Sequence, residues 1–182
     1  MKKVDYRIFL FGGCCTGKTY FSKELSDKLN ITSYSLDNIF WHGDWEHISK
    51  EDLLEQVNQI INEKDNWIID GNYKIIKENI WEKTTHIYYC YSNIAVLTWR
   101  VFKRCFLSNR EGVPKEIKEN TNNREPFWEL LFLMLRYRFV KRSKDMNYIK
   151  EIQAKGANIK KMKCNKKAIE KEISCLLKTT DI

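Results

Sequence analysis

An octapeptide near the start of the chain, residues 12–19, constrains the fold more than any other feature. It reads Gly-Gly-Cys-Cys-Thr-Gly-Lys-Thr and fits the phosphate-binding loop pattern G-x-x-x-x-G-K-[ST], also called Walker A. An apolar stretch over residues 4–11 precedes it, and Phe21, Leu25 and Leu29 follow at helical spacing. Strand, glycine-rich turn and helix are the arrangement in which this motif binds a phosphate chain.

Every residue of this loop has a predicted part in holding a nucleotide. Backbone N–H groups and the positive end of the following helix would surround the phosphates. Lys18 would reach the β- and γ-phosphates and act in catalysis, and the Thr19 hydroxyl would hold Mg²⁺. The predicted ATP-binding residues are therefore Gly12, Gly13, Cys14, Cys15, Thr16, Gly17, Lys18 and Thr19.

Composition bounds the kind of protein. With 182 residues, 43% hydrophobic and 31% charged, the chain is expected to fold as one domain with its own core. The net charge of +8 suits polyanionic partners, whether nucleotides, nucleic acid or an anionic membrane surface. The longest apolar run, residues 130–135, is too short to span a bilayer, and no secretory signal is visible.

The six cysteines point to a reducing compartment. No C-x-x-C pair occurs among them, so we expect neither structural disulfides nor zinc, and a cytoplasmic location. Cys14 and Cys15 stand beside Lys18 and a predicted helix N-terminus. That position predicts thiolate character and sensitivity to alkylation.

Strand-like and helix-like segments alternate along the chain, which predicts an α/β fold with a mostly parallel sheet. Short segments at residues 32–36, 67–69, 86–91 and 157–162 are predicted to be strands. Helices are predicted from Ser49, over 95–107, over 127–141 with a basic cluster at its end, and over 167–177. Ligands of such sheets bind at the carboxyl ends of the strands.

Two carboxylates follow predicted strands and would therefore lie at that edge. Asp70 ends the apolar strand at 67–69 and is predicted to bind Mg²⁺, directly or through water; the alternative is a helix or turn cap. Asp37 ends the second strand and would accept a proton from the acceptor hydroxyl or bind Mg²⁺. Its alternative role is an N-cap for the residues that follow.

Aromatic and basic side chains complete the candidate site. Trp41, Trp45 and Tyr73 flank the two acids and would stack on a base or sugar of the acceptor, although the core is the alternative place for each. Arg100 would contact substrate, and Arg104 and Arg110 would stabilise the transferring phosphoryl group; a solvated basic face is the alternative. The polar, proline-containing segment at about 104–126 is predicted to be a mobile lid.

These motifs together resemble the bacterial P-loop proteins called DNA topology modulation proteins, which are similar to adenylate and shikimate kinases. The resemblance covers roughly residues 6–142, and its most specific part is Trp-Ile-Ile-Asp-Gly-Asn-Tyr at 67–73. It implies a nucleoside-kinase-like, three-layer fold with a five-stranded sheet and a helical lid. Cys14 and Cys15 depart from the glycine-rich loop of that family, and His42 and Asp44 also depart from its pattern.

The leading expectation is an ATP-dependent, Mg²⁺-requiring kinase, a transferase acting on a small molecule such as a nucleoside or nucleotide. One alternative is a DNA-binding ATPase or regulator that affects DNA topology, which the net charge and the basic cluster at 136–144 favour. Another is a nucleotide-binding protein without turnover. The acceptor, the preference for ATP over GTP and the oligomeric state stay open.

Overall fold

The computed structural model describes residues 5–42, 46–107 and 127–180. Its centre is a five-stranded sheet in the order β2-β3-β1-β4-β5, in which every strand pair is parallel. The strands are β1 (Arg7–Gly12), β2 (Ser33–Ser35), β3 (Trp67–Asp70), β4 (His86–Tyr91) and β5 (Ile159–Lys163). The predicted parallel α/β sheet is confirmed.

Helices connect the strands and cover both faces of the sheet. They are α1 (Lys18–Leu29), α2 (Leu36–Phe40), α3 (Lys50–Glu63), α4 (Lys74–Ile80), α5 (Ile94–Phe102), α6 (Phe127–Arg136), α7 (Arg142–Ala154) and α8 (Lys166–Thr180). A 3₁₀ turn (Trp81–Lys83) follows α4, and π-helical turns follow α5 (Lys103–Leu107) and α6 (Tyr137–Lys141). In the described parts of the chain, no helix has the length and apolar character that a bilayer crossing requires.

Two hydrophobic layers result from the alternation of side chains along the strands. Phe9, Phe11, Ile69 and Tyr89 face one layer with residues of α3, α4 and α7. Their strand neighbours face the other layer, where they pack against α1 and α8; among them are Ile8, Leu10, Ile68, Tyr88 and Met162. The predicted three-layer arrangement follows from this packing, since β1 supplies fully buried side chains to both sides.

The helix boundaries follow from local sequence signals. The Ser49 side chain accepts a hydrogen bond from the Asp52 N–H (3.0 Å) and so caps α3, which buries Leu53 and Val57 on one face. Asn30 ends α1 in a left-handed conformation, with its N–H donated to the Ser26 carbonyl. The start of α3 agrees with the helix predicted from Ser49.

Three expectations about elements need correction. Strand β2 ends at Ser35, so Asp37 lies in the first turn of α2 and does not end a strand. The sequence does not predict helix α4, because its seven residues are too few to show a clear helical period. Its apolar residues are buried by tertiary contacts. The helix expected over 127–141 continues through a π-helical turn into α7, which ends at Ala154.

Candidate active site

The phosphate loop joins β1 to α1 at the carboxyl edge of the sheet. Gly12 ends β1 at φ 145°, and a Cβ there would lie 2.1 Å from the Cys90 carbonyl oxygen, so only glycine fits this close approach of two strands. Gly17 precedes α1 in a left-handed conformation (φ 99°). The loop between them therefore has the backbone shape in which N–H groups can converge on an anion.

Side chains of the loop hold it closed on itself. Thr16 is buried, and its hydroxyl donates to the Gly13 carbonyl oxygen (2.8 Å). The Lys18 ammonium donates to the same oxygen (2.7 Å). Lys18 is thus kept at the loop by a hydrogen bond to its backbone, while Thr19, the next residue of α1, is exposed.

Arg100 braces the loop from behind. Its Nη1 donates to the carbonyl oxygens of Thr16 (2.6 Å) and Cys15 (3.1 Å), and its Nη2 donates to the Cys164 carbonyl oxygen (2.7 Å). The planar guanidinium suits this fork of contacts, which joins the loop to the residue after β5. The structure places Arg100 on protein carbonyls, and the predicted contact with substrate stays a prediction.

Cys14 and Cys15 pack against the small apolar cluster that α5 and α6 bury between them. A hydrogen bond with the Cys15 thiol, followed by burial, raises the pKa of the Cys14 thiol well above its ordinary value, and these effects outweigh the Lys18 and Arg104 charges. The expected thiolate character of Cys14 is therefore wrong. Burial and the neighbouring thiol favour the protonated form of Cys14.

The two predicted acids, Asp37 and Asp70, lie near each other at the loop edge of the sheet. Asp70 is the last residue of β3, pairs in register with Leu10 of β1 and Ser35 of β2, and is 3% exposed. Burial raises the pKa of the Asp70 carboxyl; the Lys18 charge lowers it, and the Asp37 charge raises it. Those interactions place Lys18 and Asp37 near Asp70, at the carboxyl edge of the sheet where ligands of parallel sheets bind.

Oxygen atoms at this position fit a magnesium ion. The Asp70 Oδ2 atom is buried and has no hydrogen-bond partner among the described residues, although such atoms are normally satisfied. The Thr19 hydroxyl interacts with the same carboxyl group. No group of three or more His, Cys, Asp or Glu side chains suited to a metal occurs in the described segments. A site of few protein oxygens is typical of Mg²⁺, which takes its other ligands from phosphates and water.

Aromatic rings line one side of Asp37. The Tyr73 hydroxyl donates to Asp37 Oδ1 (2.9 Å), and burial raises the pKa of Tyr73, followed by the Asp37 charge. The Tyr73 ring lies 5.0 Å from that of Phe40, and the half-buried Trp41 meets Phe40 edge-on at 5.2 Å between ring centroids. The His47 ring stacks on the Phe40 ring, with 4.8 Å between the centroids. Trp41 and Tyr73 therefore belong to one aromatic group beside Asp37.

Of the remaining predicted residues, Arg104 lies near the loop, and the others fall outside the described residues. Arg104 is in the π-helical turn after α5, and its charge acts on the Cys14 thiol, so it is close to the loop. Trp45, Arg110 and most of the predicted lid segment fall in residues 43–45 and 108–126, outside the described residues. Their predicted roles stay predictions.

A buried polar network, not anticipated from the sequence, connects the loop to α7. Asp145 is 4% exposed and accepts hydrogen bonds from Lys77 Nζ, from the Tyr137 hydroxyl and from Asn72 Nδ2 (3.2 Å). The same Asn72 nitrogen donates to the Gly12 carbonyl oxygen (3.1 Å). The network thus links the end of β1, the segment after β3, α4 and α7.

The ring of Tyr137 extends this network over the loop. A Cβ at Gly13 would lie 2.5 Å from Tyr137 Cδ1, so the ring covers this glycine directly. Burial and then the Asp145 charge raise the pKa of the Tyr137 hydroxyl, which keeps it a hydrogen-bond donor. One sequence signal could have found Asp145: Ile149 and Ile152 follow it at helical spacing and are buried.

Solved structures of kinases share this fold. A shikimate kinase from Bacteroides thetaiotaomicron superposes with a TM-score of 0.52 at 16% identity, over 97% of this chain and 99% of that one. A gluconokinase from Sinorhizobium meliloti gives 0.51 at 10% identity, over 99% and 96%. An uncharacterized protein from Eubacterium ventriosum gives 0.52 at 18% identity, over 97% and 98%.

Neither a protein-family model nor the sequence of a curated protein matches the chain. The resemblance to DNA topology modulation proteins is therefore not confirmed. These superpositions establish a common architecture. Because the sequence identities are only 10–18%, the reaction has to be argued from the site. The chain therefore shares the fold of the shikimate kinase structures, a five-stranded parallel sheet covered by helices.

Proposed function

We propose that this chain is an ATP-dependent, Mg²⁺-requiring kinase that phosphorylates a small molecule such as a nucleoside or nucleotide. The observation that carries the proposal is the meeting of a phosphate loop with two carboxylates at one sheet edge, where Lys18 and Asp37 both act on Asp70. The shared fold of the kinase structures supports nucleotide-dependent phosphoryl transfer in general. Phosphoryl transfer needs little covalent chemistry from the protein, so positioning and charge of this kind suffice.

The phosphate loop would bind ATP, with Lys18 released from the Gly13 carbonyl to meet the β- and γ-phosphates. Thr19 and Asp70 would hold Mg²⁺, which when bound neutralises phosphate charge and orients the chain of phosphates. Arg104 and Arg110 would stabilise the charge that develops on the transferring group. Arg100 would act indirectly by fixing the carbonyls of Cys15 and Thr16.

Asp37 would orient or deprotonate the acceptor hydroxyl. Its second hydrogen-bonding oxygen is not engaged by Tyr73, whose hydroxyl donates to Oδ1. Trp41, Trp45 and Tyr73 would form the flat wall against which the acceptor lies, and such rings favour a base or a sugar face. An acceptor with a planar ring therefore suits this side of the site better than a small charged acid.

A phosphoryl-transfer screen tests the proposal. Purified protein, Mg²⁺ and γ-labelled ATP are offered nucleosides, nucleotides, hydroxylated metabolites and DNA, and labelled products are separated. We expect label in one class of small acceptor and loss of that product in Asp37→Asn, with ATP binding retained. Phosphate release that occurs only with DNA, or tight ATP binding without any labelled product, would instead favour the ATPase or the binding protein without turnover.

Asp70→Asn is expected to lower turnover by roughly a hundredfold or more and to weaken Mg²⁺ binding.

The same change should also remove the contribution of the Asp70 carboxyl to the pH dependence of the free energy of unfolding. Because burial raises the pKa of Asp70, the folded state binds this proton more tightly than the unfolded state. Metal-free wild type should therefore gain stability relative to Asp70→Asn as the pH falls through that raised pKa, until the unfolded carboxyl is also protonated.

The measurement is thermal unfolding of both proteins without metal from pH 8 to pH 4, together with Mg²⁺ titration in the presence of nucleotide. Asp27→Asn, on the exposed side of α1, is the matched control and should change neither readout. Parallel stability curves for wild type and Asp70→Asn would contradict the burial argument. Unchanged Mg²⁺ affinity in the variant would remove Asp70 from the metal site.

A further inference from the structure

An unusually apolar surface covers the outer side of α5, α6 and the π-helical turns that follow them. Five rings form a continuous series, with centroid distances of 5.8, 4.9, 5.4 and 5.2 Å between neighbours; they are Trp99, Phe102, Phe106, Phe127 and Trp128. Trp99 is 57% exposed and Trp128 74%. Further along the same helical stretch, Phe132 is 67% exposed and Phe139 71%. We call this surface the aromatic face.

The aromatic face is not the packing side of these helices. Leu97 and Val101 of α5 are buried against Leu130 and Met134 of α6, so the helices already have a core between them. The exposed rings follow a different helical stripe: Trp128 and Phe132 are four residues apart, and so are Phe102 and Phe106. Neighbouring exposed apolar side chains of this kind on a folded domain are typical of an interaction site.

Positive charge accompanies the aromatic face. Residues 94–107 and 127–144 contain eight Lys and Arg side chains against one acidic residue, Glu129, which gives these segments +7 of the net +8 of the chain. Four of these cations are exposed: Lys103, Arg136, Lys141 and Lys144. Arg136 continues the stripe of Trp128 and Phe132, one turn further along α6.

We propose that the aromatic face docks the protein on an anionic lipid bilayer, with the rings inserted at the headgroup level and the cations paired with lipid phosphates. Helices with Trp, Phe and Leu on one side and Lys and Arg beside them lie in the membrane interface in this way. This docking goes beyond the proposed kinase reaction and does not depend on it.

Charge and chemistry favour a bilayer over other occupants. A second copy docked face to face would place two segments of +7 against each other, which opposes association. Single-stranded nucleic acid would use the rings and the cations, but aliphatic side chains are exposed among them as well, Leu133 at 45% and Val140 at 54%. Acyl chains would pack against those aliphatic side chains, whereas a nucleic acid would leave them exposed to water.

Vesicle binding tests the proposal. The full chain is mixed with vesicles of phosphatidylcholine alone or with 30% phosphatidylglycerol, at low and high salt, and sedimented. We expect binding to the anionic vesicles, weakened by salt, and at least a roughly tenfold lower affinity for the double variant Trp128→Ser/Phe132→Ser. Leu177→Ser, an exposed apolar residue on α8, is the matched control and should bind like wild type.

Tryptophan quenching by brominated lipids gives an independent readout of insertion. Quenching should occur on anionic vesicles and decline when Trp99 and Trp128 are both replaced by Phe, which preserves an aromatic surface. Circular dichroism and thermal unfolding check that each variant is folded. The proposal is overturned by no binding to anionic vesicles at low salt, by equal binding of the double variant, or by rings that instead mediate self-association or binding of a single-stranded oligonucleotide.

Discussion

Lys18→Ala is expected to reduce phosphoryl transfer by roughly a thousandfold or more. The structure gives the reason in two parts. Lys18 is held at the loop by its bond to the Gly13 carbonyl oxygen, so the ammonium is already next to the loop and has only to exchange this bond for a phosphate oxygen. Its charge also acts on Asp70, so it belongs electrostatically to the same site as the proposed metal ligand. Alanine removes the cation that would balance the negative charge of the β- and γ-phosphates.

The fold should survive this change. Lys18 is half-buried, and Thr16 keeps its own hydrogen bond to the Gly13 carbonyl oxygen, so the loop retains one of its two internal contacts. Turnover with the acceptor found in the screen, ATP affinity by calorimetry and thermal unfolding are measured on the same samples. Lys23→Ala, an exposed lysine on the same helix, is the matched control. Wild-type turnover in a folded Lys18→Ala protein would refute the kinase assignment.

Asp145→Ala is expected to destabilise the protein by about 3–5 kcal/mol. The Asp145–Lys77 ion pair is buried, with the two side chains 6% and 9% exposed. Removing the carboxylate leaves the Lys77 ammonium in the interior without its counter-charge, and leaves Tyr137 and Asn72 without an acceptor. The contacts of Lys77 with the rings of Phe11 and Tyr148, 5.3 and 5.4 Å from the centroids, replace only part of that loss.

Chemical denaturation with urea measures this effect. Glu151→Ala is the matched control, because it breaks an ion pair with Lys155 (2.8 Å) on the same helix that is exposed to solvent. A much smaller change is expected there, since water screens that pair and hydrates the charge that is left. A loss for Asp145→Ala no larger than that for Glu151→Ala would show that the network does not stabilise the fold.

The effect of this network on the phosphate loop can be measured separately, as a change in ATP affinity. Asn72 bridges Asp145 and the Gly12 carbonyl oxygen, and Tyr137 covers Gly13, so loss of Asp145 should loosen the backbone that would receive the phosphates. We expect Asp145→Asn, which keeps an oxygen acceptor, to retain more ATP affinity than Asp145→Ala. Calorimetry at a temperature where both variants are folded makes this comparison.

Much of the architecture could be predicted from the sequence because its signals are local. The phosphate loop follows from the spacing of Gly12, Gly17 and Lys18, and the strands follow from short apolar runs such as residues 67–69. The rule that parallel strand ends meet at one edge then predicts that Asp37 and Asp70 come together, as the structure has them. Asp37 reaches that position from a helical turn and not from a strand end, because β2 stops at Ser35.

The parts that could not be predicted depend on tertiary contacts. Lys77 and Asp145 are of residue types that usually lie at the surface. The spacing of Ile149 and Ile152 indicates the buried side of α7, but no local signal pairs Asp145 with Lys77 of α4. The sequence does not indicate that Arg100 donates to the Thr16 and Cys164 carbonyl oxygens, because that contact joins segments far apart in the chain. The protonation of Cys14 likewise depends on packing against α5 and α6.

The position of β1 in the sheet has a consequence for biosynthesis. Of the five described strands, β1 is synthesised first, yet it lies in the middle of the sheet between β3 and β4, which begin at Trp67 and His86. Its residues Ile8 to Phe11, fully buried in the finished sheet, have no strand partner until those segments have been made. Nascent chains should therefore stay sensitive to protease and dependent on chaperones until β4 emerges, and the sheet should then form in one late, cooperative step.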